Sequence, residues 1–335
     1  MFREAAEAAD VVLRQLDRLP GDLARVAKAL KRLPHARIVT LARGSSDHAA
    51  TYAKYLFETR LGVLTASAAP SVSSLYAVRA HFRDTVLLVI SQSGKSPDLL
   101  AAVDAAKESG ACVVAMVNVE ESPLASSAHF AIPLCAGDET SVAATKSFIA
   151  SLAALAQLEA YWADDAGMGA ALERLPERLR QAWRLDWGAA VEELRDKDSL
   201  YVIGRGLGLA VAQEAALKLK ETCAMHAEAF SSAEVRHGPM AIVRRGFPVL
   251  AFAQSDETRK DMAALVRDLH AHGAQVLSAG LEDRDSIALP SIGTDPALQP
   301  LLHIQAFYRM VNALAIARGS DPDRPQHLSK VTETL

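Results

Sequence analysis

Apolar residues gather in short runs, and between the runs lie longer stretches where apolar and polar residues mix at helical spacing. In the first half the runs are RIVTLA, VLTASAA, TVLLVIS, ACVVAMVN and FAIPL, separated by stretches such as HAATYAKYLFETRLG and SPDLLAAVDAAKESG. Short apolar strands alternating with amphipathic helices predict βαβ units and a parallel sheet covered on both faces. Ahead of them Val12, Leu13, Leu16 and Leu19 fall near i, i+3/i+4 spacing, so residues 1–32 read as a helical segment broken at Pro20-Gly21.

The pattern then starts again. IVTLARGSSDHAATYAKYLFE lies on LYVIGRGLGLAVAQEAALKLK at one constant offset, which pairs Arg43 with Arg205, Gly44 with Gly206, Ala50 with Ala212 and Ala53 with Ala215. Gln92 and Ser93 fall on Gln254 and Ser255 at the same offset, and SGACVVAMV lies over HGAQVLSAG after one residue of slippage. The expected organisation is a helical segment (1–32), a first domain (33–165), a helical linker (166–190), a second domain (191–318) and a C-terminal tail (319–335). Both domains are expected to be α/β, doubly wound, flavodoxin-like parallel sheets in tandem. The copies differ at one strand end, where the first has SQSGKS and the second AQSDET. A carboxylate repels an anion, so only the first copy is expected to hold phosphate.

Composition narrows the function. Of 335 residues 50% are hydrophobic, and the formal net charge is −4, against a nucleic-acid binder held by a general basic field. Cys112, Cys135 and Cys223 are widely spaced, form no CxxC pair and read as buried free thiols, with no metal ligand set. The first residues, MFREAAEAADVVLRQL, mix charges through their apolar positions, unlike a signal or transit peptide. No apolar run is long enough to span a membrane, and the cytoplasm is the expected compartment.

SQSGKSPD, residues 91–98, follows a strand and opens a helix. Gly94 permits a tight turn, Pro97 suits a first helical position, and Ser91, Ser93 and Ser96 offer hydroxyls beside the helix N-terminus, a setting for an anion. A plain polar turn with Ser96 as N-cap satisfies the same letters. ARGSSD and DETSVAATKS are two further polar junctions in the same copy. The second copy carries groups suited to proton chemistry: Lys218, Glu221, His226, Glu228, Glu234 and His237. Lys218 and Glu221 share a helix face, as a working pair or a solvated ion pair. His237, before Gly-Pro, reads as a loop residue. Lys330, in a Pro-rich polar tail, is by itself an ordinary solvated charge.

SQSGKSPD, SVAATKSF, EAALKLKE, HAEAF, EVRHGP and HLSK, in that order along nearly the whole chain, resemble the sugar isomerase (SIS) family, in particular the isomerase half of glucosamine-6-phosphate synthase. The resemblance implies that Ser45, Ser91, Gln92, Ser93 and Ser96 hold a sugar phosphate. It implies that Glu221 moves a proton between C1 and C2 through an enediol or enolamine, and that Lys218 lies close to the reacting oxygen. It further implies that His237 assists ring opening from a neighbouring subunit and that Lys330 forms a Schiff base with a keto sugar. These roles fit the side chains' chemistry, and the proton shift needs no cofactor or metal. Lys95 and Pro97 stand where the synthase commonly has Glu and Ala. Ala144 replaces a substrate-contacting serine, and Ala233 a usual glycine.

The synthase carries a glutaminase domain, and here Phe2 is followed almost at once by isomerase-like sequence. The expectation is therefore the reverse direction, as in the SIS-type glucosamine-6-phosphate deaminases: glucosamine 6-phosphate and water give fructose 6-phosphate and ammonia. The alternatives are a fructosamine-phosphate deglycase, a galactosamine-6-phosphate deaminase, or a non-catalytic phosphosugar sensor. A homodimer is expected, with His237 completing the partner's site.

Overall fold

The computed structural model describes residues 1–33, 37–76, 78 and 80–330. Three helices open the chain: α1 (Phe2–Ala6), α2 (Ala8–Arg18) and α3 (Pro20–Leu30). Pro20, read from the sequence as an interruption, is the first residue of α3, where its missing N–H costs nothing. Then follow β1 (Arg37–Leu41), α4 (Ser45–Leu61), β2 (Thr65–Ser67), α5 (Pro70–Ser74), β3 (Thr85–Ser91), α6 (Pro97–Glu108), β4 (Cys112–Val117), α7 (Pro123–Ser127), β5 (Phe130–Pro133) and α8 (Lys146–Ala163). The chain continues through α9 (Ala166–Trp183), α10 (Gly188–Leu194), β6 (Ser199–Gly204), α11 (Gly208–Cys223) and β7 (His226–Ser231). It ends with β8 (Pro248–Phe252), α12 (Arg259–Ala271), β9 (Gln275–Ala279), β10 (Ile287–Leu289) and α13 (Gln299–Ala317).

Two compact units result. The first comprises Asp10–Glu139 and Lys146–Glu173; the second comprises Met1–Ala9, Thr140–Thr145 and Arg174–Lys330. Among the described residues each holds one five-stranded sheet, ordered β2-β1-β3-β4-β5 in the first and β10-β9-β8-β6-β7 in the second. Every pairing is parallel. With β6–β10 as counterparts of β1–β5, the two orders are identical, so the tandem doubly wound reading holds.

The central strands explain why this pattern was visible. Every residue of β3 and of β8 is buried, so each reads as an unbroken apolar run. Helices α8 and α13 are buried almost all round: α8 from Lys146 to Ala160, and α13 from Gln299 to Tyr308. Cys135 and Cys223 are buried thiols as expected, whereas Cys112, at the start of β4, is only partly covered. No helix among the described residues is long and apolar enough to cross a membrane.

Inside the second unit, α13 buries an imidazole. The ring of His303 stacks on Phe252 with centroids 5.9 Å apart, and its Nε2 has no hydrogen-bond partner. Burial pushes this group down from 6.5 to about 4. Between those values the unfolded chain binds a proton that the folded chain refuses, so stability rises with pH across that window. Acidification from pH 6.5 to about 4 should therefore remove roughly 3 kcal/mol of stability through His303. Urea midpoints of wild type and His303→Gln across this range isolate the contribution; parallel curves refute it.

Candidate active site

In the first sheet the crossovers diverge between β1 and β3, and the crevice at such strand ends is the usual ligand position. Two loops leave it. One runs from β1 to Ser45, the first residue of α4, through Gly44 at φ +55°; Gly206 repeats this geometry in the second copy at +56°. The other runs from β3 into α6. Gly94 takes φ +63°, and a Cβ there would overlap Ser122 Oγ and lie 2.9 Å from Val117 Cγ2, so no other residue fits without displacing α7. Buried Ser91 closes the turn, its Oγ accepting the Gly94 N–H at 3.0 Å, and Ser93 Oγ accepts the Lys95 N–H at 3.4 Å.

Ser96 occupies the N-cap of α6 in the extended conformation that a following proline demands. Its hydroxyl makes no capping bond, so the polar-turn alternative lacks its main contact. Gln92 and Ser93 are half-buried at the loop mouth and Lys95 is exposed. Ser45, Ser91, Gln92, Ser93 and Ser96 thus all lie on two adjacent strand-to-helix junctions, where helix N-termini favour an anion. An ion pair ties the junctions together, with Arg43 Nε and Nη2 donating to Asp98 Oδ2 at 3.0 and 2.5 Å. Asp98, in the first turn of α6, escaped the sequence reading; an acidic residue just past Ser-Pro was its only signal.

The second copy uses the same junction differently. Asp256, at the Gly94 position, accepts the Thr258 N–H at 2.9 Å and the Gln254 amide at 3.0 Å. Gln299 Oε1 takes both donors of Ser255, the N–H at 2.8 Å and the hydroxyl at 3.1 Å. The chain's own side chains have claimed those donors.

The candidate acid–base groups lie in the second unit. On α11, Lys218 is sealed from solvent, and its Nζ donates to Glu221 Oε2 at 2.6 Å and lies 3.3 Å from Glu214 Oε1. Burial works to lower the Lys218 amine, but the two carboxylates outweigh it and hold it above its usual value. It is a fixed ammonium, whose charge is felt through its two carboxylates. Glu214, fully buried, also accepts the Tyr308 hydroxyl of α13 at 3.2 Å. The sequence reading missed Glu214, although its spacing four residues before Lys218 was visible. Glu221, a turn beyond Lys218, keeps its side chain 17% exposed.

His237 ends a one-turn 3₁₀ helix (Val235–His237), where an open loop was expected. Gly238 at φ +141° turns the chain behind it, and the Tyr201 hydroxyl holds the Pro239 carbonyl at 3.0 Å. The His237 ring is exposed and hydrogen-bonds to none of Lys218, Glu221 and Lys330 among the described residues. Lys330 Nζ donates to the Ser141 carbonyl, on the Thr140–Thr145 segment that also carries half-buried Ala144. The structure therefore joins Lys218 to Glu221 and seats Lys330 against the Thr140–Thr145 segment, apart from that pair. Among the described residues no cluster of three or more His, Cys, Asp or Glu side chains could hold a metal.

Comparison with known proteins places this arrangement. The chain is 34% identical over 318 residues to the glutamine–fructose-6-phosphate aminotransferase (isomerizing) of Thermococcus kodakarensis, covering 88% of this chain and 51% of that protein. It thus spans about half the length of the curated relatives it matches. A crystal structure of a candidate phosphosugar isomerase from Silicibacter pomeroyi DSS-3 superposes at TM-score 0.92 with 45% identity, covering 96% of this chain and 99% of that one. The C-terminal domain of the Francisella tularensis glucosamine-fructose-6-phosphate aminotransferase follows at TM-score 0.82 and 26% identity, covering 94% and 98%. A glucosamine-6-phosphate deaminase of Thermotoga maritima shares the fold at TM-score 0.76 and 24% identity, covering 98% and 100%. The SIS domain pattern matches residues 34–160 and 193–293, which contain every described strand of both sheets, and the chain belongs to the SIS domain family.

Proposed function

We propose that the chain is a phosphosugar isomerase that works as a deaminase, converting glucosamine 6-phosphate and water to fructose 6-phosphate and ammonia. The observation that carries this reading is the buried Lys218 ammonium between Glu214 and Glu221. It fixes one oxygen of a partly exposed carboxylate and leaves Glu221 positioned as a base. The two serine-rich helix N-termini supply the anion site, and fructose 6-phosphate, named for the Thermococcus relative, is the product proposed here.

His237, reaching the site from a second copy of the chain, moves a proton between the sugar's O1 and its ring oxygen as the ring opens. Glu221 then takes the C2 proton to give an enolamine and returns it to C1, leaving an imine at C2. The Lys330 amine adds to C2 and displaces ammonia, and water releases the keto sugar from the lysine, so atoms balance without a redox step. Water is the only co-substrate. Ala144, in place of a sugar-contacting serine, favours as a second reading a related amino- or keto-sugar phosphate.

Purified protein incubated with glucosamine 6-phosphate should release ammonia and fructose 6-phosphate in equal amounts. No product at high enzyme concentration sinks the reading, and a panel of amino- and fructosamine-phosphates separates it from the second. Mixing Glu221→Gln chains with His237→Ala chains should restore part of the activity; heterodimers that form and stay inactive overturn the shared site.

A further inference from the structure

Three segments far apart in sequence meet at Ser141, all within the second unit. From α1, buried Glu4 accepts with Oε1 the Thr140 N–H at 2.5 Å, the Thr140 hydroxyl at 3.0 Å and the Ser141 N–H at 3.2 Å. Helix α1 is itself fixed, because Gln305 of α13 donates to the carbonyl of fully buried Ala5 at 3.0 Å. From the tail, Asp323 accepts the Ser141 hydroxyl at 2.7 Å, and Lys330 donates to the Ser141 carbonyl. Between those two anchors every residue except Pro325 is exposed. Pro325 is the one apolar residue of this stretch that is buried, so hydrogen bonds largely decide where the lysine sits.

We infer that Glu4, Ser141 and Asp323 form a clamp that sets the position of the Lys330 amine, making Glu4 and Ser141 positioning residues for a reaction they do not touch. The inference rests on the reading that Lys330 reacts with the sugar. Burial alone acts to raise the Glu4 carboxyl, yet the Thr140 and Ser141 donors outweigh it and hold it below its usual value. It is thus an ionised acceptor, and bonds to such groups are the strong ones. Three segments contribute, so loosening any one should free the tail. The ammonium group of Met1 also donates to Ser141 Oγ and Asp323.

The test uses Glu4→Gln, Ser141→Ala, Ser141→Thr and the largely exposed Asp323→Asn. Hydrogen exchange over residues 319–330, read by mass spectrometry against the β6 amides as internal control, should speed up about tenfold in Glu4→Gln, Ser141→Ala and Asp323→Asn. Ser141→Thr keeps the hydroxyl and should stay near wild type. In the same three variants kcat should fall about tenfold with KM within twofold, and borohydride trapping of Lys330 with fructose 6-phosphate should lose yield in parallel. Wild-type tail exchange in both Asp323→Asn and Ser141→Ala overturns the clamp, as does faster exchange with unchanged kcat and trapping. Should the wild type itself form neither product nor adduct, the functional reading falls, while the exchange rates still decide whether the clamp holds the tail.

Discussion

Glu221→Gln should lower turnover about a hundred- to ten-thousand-fold, the range by which a positioned base accelerates proton transfer. The amide has the shape of the carboxylate, and its oxygen can still accept from Lys218 Nζ, now 2.6 Å from Glu221 Oε2. Folding and phosphate binding should survive, and only the group proposed to receive the C2 proton is lost. Steady-state kinetics with glucosamine 6-phosphate, paired with a binding titration of a non-reacting sugar phosphate, separate the two quantities. A variant with kcat within threefold of wild type removes Glu221 from the chemistry, and a matching loss of binding reassigns it to substrate contact.

Lys218→Met is the corresponding prediction for stability. The side chains of Lys218 and Glu214 are 1% and 0% exposed, so removing the ammonium takes the facing positive charge from a buried carboxylate that also accepts the Tyr308 hydroxyl. Breaking a buried pair from one side costs about 3–5 kcal/mol, because the uncompensated charge outweighs the lost contact. Adding Glu214→Gln to Lys218→Met should recover more than half of that loss. Denaturant midpoints of the two single variants and the double decide the point. If Lys218→Met costs less than 1 kcal/mol, the ammonium is not the keystone of this cluster.

The legible part of the fold was the part where burial and local pattern agree. Strand β3 is central and covered on both faces, so TVLLVIS holds an unbroken apolar run, VLLVI; its counterpart β8, PVLAF, is buried as fully but was not singled out. Strand β7 was not recognised: HAEAFS buries only Ala227 fully, and its polar letters drew attention as chemistry instead. Of the site, the serine junctions could be placed because helix N-termini follow strands by a fixed local rule. The Lys218–Glu221 pair was visible because three residues is one helical turn. Glu214 was overlooked because a helix with buried residues on most faces gives no polar stripe to read. Glu4, Ser141 and Asp323 lie far apart in sequence, and no local rule couples them. His237 was seen as unusual from Arg-His-Gly-Pro, yet its one-turn helix depends on the wide φ of Gly238.

The second unit takes its first strip of chain, Met1–Ala9, from one end and its longest piece, Arg174–Lys330, from the other. During synthesis the first unit's whole sheet emerges from the ribosome before any strand of the second. Helix α1, made before either sheet, has no seat until α13 is complete, because the Gln305 amide and the α13 surface it packs on follow every strand. A stalled or truncated product could therefore carry a finished first sheet while the second unit is still open at both ends. The seating of α1 is thus a late checkpoint on the completeness of α13.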